Sequence, residues 1–411
     1  MKKRLVTSVL ALAVAAAAFA GILAGQHGGA NRRDMVQAKE KAADTKDDMQ
    51  KVQQFGYELL GQYLKEENPV MSPVSAYMTL GMVADGAKGT TKKEFDKVLG
   101  SSSLALAESM MQTLPQKNDA AKLTIANSAW MDQEFTAKKK WLDTAKKQFQ
   151  CDVFETKLDT AATKNKINKW VDERTNGMIP KLLAKKLEKE TRLALVNALY
   201  FHADWQQQFL AEGTGENDFR LDDGTTVKTD MMHAINYSCK YFKNKDAQGV
   251  AMPYKDSKFA FVAVMPTGDQ PIRDWYASYD AKKLADLIAG GAQKTVELAL
   301  PKFEVRCRKT LNDSLKTMGI KKAFDEEKAN LTLLGKSSKD ENLYLSLVLQ
   351  EAVITVAEEG TEAAAATIGA VAAATGVDLE KPVVHFNRSF LYMIMDMETG
   401  APVFMGILDQ P

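Results

Sequence analysis

Four histidines, His27, His202, His233 and His385, are the only side chains that ordinarily titrate near neutral pH, so hydrolytic chemistry would be built around one of them. None stands in a G-x-S-x-G nucleophile elbow or an H-E-x-x-H metal motif. A triad could be assembled only from scattered parts, which leaves a secreted hydrolase without a motif. Gly335-Lys336-Ser337 has the ending of a phosphate-binding loop, but Asn330 stands where the first glycine is required, and the fragment reads as a turn. Cys151, Cys239 and Cys307 are odd in number and far apart, without C-x-x-C spacing; they give no disulfide frame and no zinc site, and buried free thiols are expected. Neither a metal nor a cofactor is implied. Lys138, Lys139, Lys140, Lys146 and Lys147 make a basic patch that reads as a solvated helix face.

One stretch stands out by its composition. After Glu358-Glu359-Gly360-Thr361-Glu362 come fifteen uncharged, mostly very small residues, Ala363 to Val377, without a proline. They follow LYLSLVLQEAVITVA (Leu343 to Ala357), whose β-branched residues favour strand. Alanine favours helix, so the two tendencies collide at Gly360, and on composition alone the run reads as a surface helix or an Ala-rich linker.

The chain has 411 residues, 45% of them hydrophobic, ample for a core. Its 54 basic residues face 53 acidic ones, so no overall field favours nucleic acid or an anionic membrane. Residues 1–20 read as a signal peptide: MKKR, a Leu/Ala/Val run from Leu5, then Ala18-Phe19-Ala20 before Gly21. The uncharged stretch continues to Gln26, which leaves an uncleaved N-terminal anchor as the alternative and as the one route to a membrane. Cleavage would remove Lys2, Lys3 and Arg4 and leave 51 basic against 53 acidic residues, a protein about neutral. Residues 21–47 read as a polar tether. The expected destination is secreted or extracytoplasmic, in a periplasm or at a cell surface.

Beyond residue 48 helices come first. Val52, Phe55, Leu59, Leu60 and Tyr63 recur at three- and four-residue steps along one apolar stripe. A second helix runs from Ser75 through Val83, and Thr91-Lys92-Lys93-Glu94 reads as a capping box opening a third. Strands follow in LTIANSAWM (Leu123 to Met131), RLALVNALYF (Arg192 to Phe201), FAFVAVMP (Phe259 to Pro266) and TVELALPKFEV (Thr295 to Val305). RSFLYMIMD, the turn Glu398-Thr399-Gly400 and PVFMGILD read as a hairpin. With no repeat or long linker, residues 48–411 are expected to form a single α+β domain of helices and mainly antiparallel sheets.

At this point the residues carry a resemblance. EEGTEAAAAT is similar to the proximal hinge of the reactive loop in serpins, the serine protease inhibitor superfamily. NPVMSPVS (Asn68 to Ser75) resembles that family's opening helix motif, LVNALYFHADW (Leu195 to Trp205) its central strand and LPKFEV (Leu300 to Val305) the strand that follows. FNRSFLYMI (Phe386 to Ile394) and PVFMGIL (Pro402 to Leu408) resemble its closing strands. The resemblance implies an inhibitory serpin, secreted and bacterial, with three sheets, about nine helices and an exposed reactive loop over about 358–382. A serine protease, or a cysteine protease, would attack the loop and form an acyl-enzyme. The cut loop would then enter the large sheet as a new strand and trap its attacker. A strand entering the middle of a formed sheet must donate and accept on both edges, which forbids proline, and must put alternate side chains into a packed interior, which penalises charge. Ala363 to Thr367 meet both demands. Thr361, Ala363, Ala365, Thr367 and Gly369 share one face by the two-residue period, and all are small enough to slip beneath neighbouring strands. The protein would be a monomer with no catalytic residues of its own.

Roles carry over by position. The hinge would be Glu358, Glu359, Gly360, Thr361, Glu362, Ala363, Ala364, Ala365, Ala366 and Thr367. Fourteen positions after Gly360, the resemblance places the reactive bond at Ala374-Thr375, with Ala373 or Val377 as alternatives. Val371, Ala372 and Ala373 before it suit a small primary pocket and an elastase-like target; no Lys or Arg for a trypsin-like enzyme lies between Glu362 and Lys381. Glu358 would pair with Lys302 near the top of the large sheet, where Trp205 covers the insertion point. Ser72, Ser75 and Asn197 would form a cluster that lets the strands part, with Gln350 in place of the usual histidine. Gln350 is the best support for the alternative, a serpin fold that acts as a binding protein or chaperone without inhibiting.

Overall fold

The computed structural model describes residues 48–118, 120–255, 258–339, 341–361 and 381–411, and these belong to one compact unit. The expected leader, 1–20, and tether, 21–47, lie outside the described residues. The first apolar stripe becomes helix α1, residues 48–61, with Val52, Phe55, Leu59 and Leu60 out of contact with water. Ser72 opens helix α2 (Pro73–Asp85): its hydroxyl accepts from the Ser75 N–H at 3.2 Å, and Pro73, with no N–H to satisfy, takes a first-turn position. Val74, Tyr77, Leu80 and Val83 bury different sides of α2, as a helix running through a core requires. Seven further α-helices bring the number among the described residues to nine.

Three sheets accompany them. The one that matters here contains β1 (Gln116–Lys117), β2 (Ala121–Met131), β3 (Asp152–Glu155), β4 (Leu193–Asp204), β5 (Phe303–Thr310), β6 (Leu349–Val356) and β7 (Gly360–Thr361). Their order is β5-β6-β7-β4-β2-β1, with β3 beside β2. β4 lies antiparallel to β2 along its length, from Asp204's neighbour Ala203 opposite Ala121 to Leu193 opposite Met131. β5 pairs β6 from Phe303 opposite Val356 to Thr310 opposite Leu349. Among the described residues, the two-residue β7 is the only strand between these halves. A nine-stranded sheet packs on the other side of the core and includes Thr226–Lys243, Ala292–Pro301, Val383–His385 and the hairpin Phe390–Asp396 with Pro402–Leu408. Phe135–Ala137 and Gly335–Ser337 form the third.

Several expectations need correction. The run Thr295 to Val305 is two strands in two sheets, Ala292–Pro301 and β5, because the chain changes sheets at Lys302, whose N–H donates to Asp230 O at 2.9 Å. Of Leu343 to Ala357, only Leu349–Val356 forms strand. Thr91 and Glu94 do not make a capping box: the helix begins at Gly89, Thr91 Oγ1 accepts from Asn330 N–H, and the Glu94 carboxylate accepts from Lys321 and Lys322 N–H. Tertiary partners take both side chains. Gly335-Lys336-Ser337 is an edge strand paired with Phe135–Ala137, not a turn. The three cysteines are buried and free, and the lysine patch lies exposed on the helix Lys139–Gln148 and the residue before it.

Candidate functional site

The site is the line along which β6 and β4 are kept apart. At its upper end Thr361 stands opposite Val356 on one side and Ala203 on the other, and Gly360 opposite Asp204. Gly360 is required by space: a Cβ there would lie 2.2 Å from Ala203 O and 2.8 Å from Asp204 Cα. The Thr361 hydroxyl is buried and shares a 2.5 Å hydrogen bond with Tyr254 OH. Tyr254 stacks on Trp205 at 4.7 Å between centroids, and Trp205, with no exposed surface, turns its indole N–H to Ala357 O at 2.8 Å. The hinge backbone is fastened to the same segment, since Trp205 N–H donates to Glu359 O at 2.8 Å and Phe209 N–H to Glu358 O at 3.0 Å.

The Glu358 side chain meets Lys302 Nζ at 2.9 Å and accepts from Thr214 Oγ1 at 2.8 Å. Burial pushes its carboxyl upward, but the hydrogen bond from Lys302, a backbone N–H and the Thr214 hydroxyl outweigh that and hold it below the usual glutamate range. Lys302 reaches this place because it sits where the chain crosses between sheets.

Lower down, the N-terminus of α2 takes over. Gln350, on β6, uses both ends of its amide on one residue: Oε1 accepts from Ser72 N–H at 3.1 Å and Nε2 donates to Ser72 O at 2.9 Å. Ser75 Oγ donates to Asn197 Oδ1 at 2.5 Å, Asn197 Nδ2 donates to Asn127 Oδ1 at 2.7 Å, and Asn127 Nδ2 donates to Phe149 O at 2.9 Å. The expected cluster is therefore two half-networks, one on each side of the parting line. The Ser75 N–H to the Ser72 hydroxyl joins them. A cavity of about 390 Å³ continues along the line, lined by Ser75, Thr79, Leu193, Leu195, Asn197 and Gln350 among others.

The structure thus brings Glu358, Lys302 and Trp205 together at the top of the seam and Ser72, Ser75, Asn197 and Gln350 in its middle. Glu362, Ala363 to Thr367, Val371 to Ala373, the Ala374-Thr375 bond and Val377 lie outside the described residues. Sequence reasoning missed Asn127, Tyr254 and Thr214. Asn127 left a trace, as a polar residue inside the apolar strand LTIANSAWM; the other two left none.

The profile described as "Serpin (serine protease inhibitor)" matches residues 50–411. The chain belongs to the serpin family. It is 30% identical over 370 residues to glia-derived nexin of Homo sapiens, covering 87% of this chain and 92% of that one. Among solved structures it is similar to the thermophilic serpin tengpin in the native state, with a TM-score of 0.82 and 32% identity over 88% of this chain and 94% of that one. It is also similar to tengpin in the latent state, with a TM-score of 0.76 and 29% identity over 88% and 97% of the two chains. Membership of this serpin family supports protease inhibition in general, not catalysis.

Proposed function

We propose that this serpin is an irreversible suicide-substrate inhibitor of an elastase-like serine protease. The observation that carries the reading is β7: Gly360-Thr361 forms the first rungs of a strand between β4 and β6, and the residues that continue it have the composition such a strand needs. Thr361 is buried, and by the two-residue period a strand continued from it would put Ala363, Ala365 and Thr367 on that same face. The protease supplies the chemistry. Its nucleophile attacks the carbonyl carbon of Ala374, its oxyanion hole holds the tetrahedral intermediate, and the bond to Thr375 breaks as the acyl-enzyme forms. Freed at that end, the hinge strand extends down the line from Thr361 past the half-networks, carrying the acylated protease with it before water can release it.

Each new backbone hydrogen bond contributes on the order of 1 kcal/mol, while fixing each residue costs about 1–2 kcal/mol of backbone entropy. The two nearly cancel, so the drive comes from burying the small-residue face and relieving a metastable, uncut state. The short basic leader and its A-x-A end support secretion. Incubation with pancreatic elastase tests the reading. A covalent complex that survives detergent is expected; loop cleavage with no complex would leave the non-inhibitory alternative.

A further inference from the structure

We propose that Arg220 and Arg388 bind the phosphate of a small phosphate monoester, in a cleft beside the nine-stranded sheet. The site shares no residue with the seam between β4 and β6, and it stands or falls independently of the inhibitor reading.

The backbone sets two like charges side by side. The strand Thr214–Arg220 ends beside the chain that leaves Val383–His385: Arg220 N–H donates to Asn387 O at 2.9 Å and Ser389 N–H to Arg220 O at 3.3 Å. Arg220 and Arg388 thereby become opposite members of a parallel bridge. Like charges directly opposite one another on neighbouring strands repel, so the pair carries a standing electrostatic cost. The Arg388 guanidinium is fixed in place, its Nη1 donating to Gly268 O at 2.5 Å and its Nη2 to Pro266 O, with its side chain only 18% exposed. Burial first, and then the charge of Arg220, push Arg388 below the ordinary arginine range, and Asp269 opposes them.

One carboxylate answers both guanidinium groups. Asp269 Oδ1 lies 3.0 Å from Arg220 Nη2 and 3.9 Å from Arg388 Nη1, so a single oxygen already stands within reach of the two and marks where an anion's oxygen would go. The Asp269 side chain is 91% exposed, which makes it a weakly held partner that a stronger anion displaces. Each guanidinium carries five N–H donors, more than these contacts use. The other charged groups lining the cleft have partners of their own, Asp218 with Lys228 at 2.7 Å and His385 with Glu297 at 3.1 Å, so two positive charges face one exposed negative one. A phosphate monoester, with a charge of roughly −1.5 to −2 near pH 7 and three acceptor oxygens, matches that surplus. The cleft holds about 530 Å³, the size of a small-molecule site and more than a bare anion fills. Thr226, Gln248 and Asn387 line the remainder, which suits a hydroxylated body on the ester.

The test is isothermal titration calorimetry of the full-length protein with glucose 6-phosphate, inorganic phosphate and glucose, each exchanged for chloride or buffer at constant ionic strength. Glucose 6-phosphate is expected to bind once per chain with a Kd of about 1 mM or tighter, the scale of two or three charge-assisted contacts, and glucose not at all. Arg220→Gln is expected to weaken the ester about tenfold or more. Asp269→Asn is expected to tighten it about threefold or more, because the competing carboxylate goes and both arginines stay. An ion pair that only holds the bend after Pro266 would give no such gain. The site is overturned if the ester shows no one-site binding at about 10 mM, or if Arg220→Gln binds within about twofold of the parent, or if Asp269→Asn binds no tighter. Inorganic phosphate binding as tightly as the ester overturns the choice of an ester, since the cleft beyond the arginines would then contribute nothing. Should Arg220→Gln fail to fold, Asp269→Asn, a change to a side chain almost wholly in solvent, decides alone.

Discussion

The top and the middle of the seam between β4 and β6 are closed by different means. At the top the closure is backbone and aromatic: two ladder residues, Gly360 and Thr361, bridge the strands, and Trp205 and Tyr254 seal them from water. In the middle it consists of side-chain hydrogen bonds from the start of α2, two to Gln350 and one to Asn197. Bonds of the second kind contribute on the order of 1 kcal/mol each and break one at a time. A packed aromatic stack loses its contacts together. The top is thus the firmer closure, and the middle the one that can yield in steps.

If that contrast is right, truncating the top should cost most. Trp205→Ala removes a fully buried indole, its stacking on Tyr254 and its bond to Ala357 O, and is expected to destabilise by about 3–5 kcal/mol in urea unfolding. A cost below that of the mid-seam variants would reverse the contrast. Gly360→Ala comes next. Its Cβ would meet Ala203 O at 2.2 Å, so β7 must shift, at about 1–3 kcal/mol, and elastase should then give more cut protein and less complex. Unchanged partition would show that the seated hinge is not needed for trapping.

In the middle, Gln350→Ala leaves the buried Ser72 N–H without its partner, and Asn127→Ala leaves the half-buried Asn197 Nδ2 without the oxygen it donates to. Each is expected to cost about 1–3 kcal/mol. Because the half-networks meet through one hydrogen bond, the double variant should be additive within about 0.5 kcal/mol. A coupling well above that would mean that the middle acts as one unit after all.

The contrast also separates what the sequence disclosed from what it hid. Periodicity located α1 through Val52, Phe55 and Leu59, and local runs located β2, β4 and the closing hairpin, since each is a property of neighbours in the chain. The serpin resemblance named one residue on each side of most contacts at the seam, Lys302 and Glu358 among them. It could not show that Gln350 would turn to Ser72 and leave Asn197 to Asn127, because an amide's choice of partner depends on backbone positions 278 residues away. Tyr254 was hidden for a similar reason: its hydroxyl meets Thr361 across 107 residues, and PYKD carries no local mark of burial. Thr91 and Glu94 misled because their local geometry fits a cap, and only the packed segment from Lys321 to Asn330 claims them.

The smallest effect concerns the one ion pair at the top. Lys302 is more than a third exposed, so solvent screening limits Lys302→Ala to about 0.5–1 kcal/mol at neutral pH. The pH dependence is the sharper reading. Glu358 titrates below the ordinary value of 4.5 in the folded protein, so the stability it contributes is complete above that value and is lost as pH falls through its lowered folded value. Other carboxylates titrate in the same window, so the quantity to follow is the difference between parent and Lys302→Ala. That difference should be constant from pH 7 to 5 and shrink as pH falls through the lowered folded value of Glu358, reaching zero once the carboxyl is neutral in both proteins and Lys302 has no charge to meet. A difference that does not shrink as pH falls below the ordinary glutamate range would mean that Lys302 holds the top of the seam by packing its stem, which would place even this contact with Trp205 and Tyr254 and not with the polar bonds below.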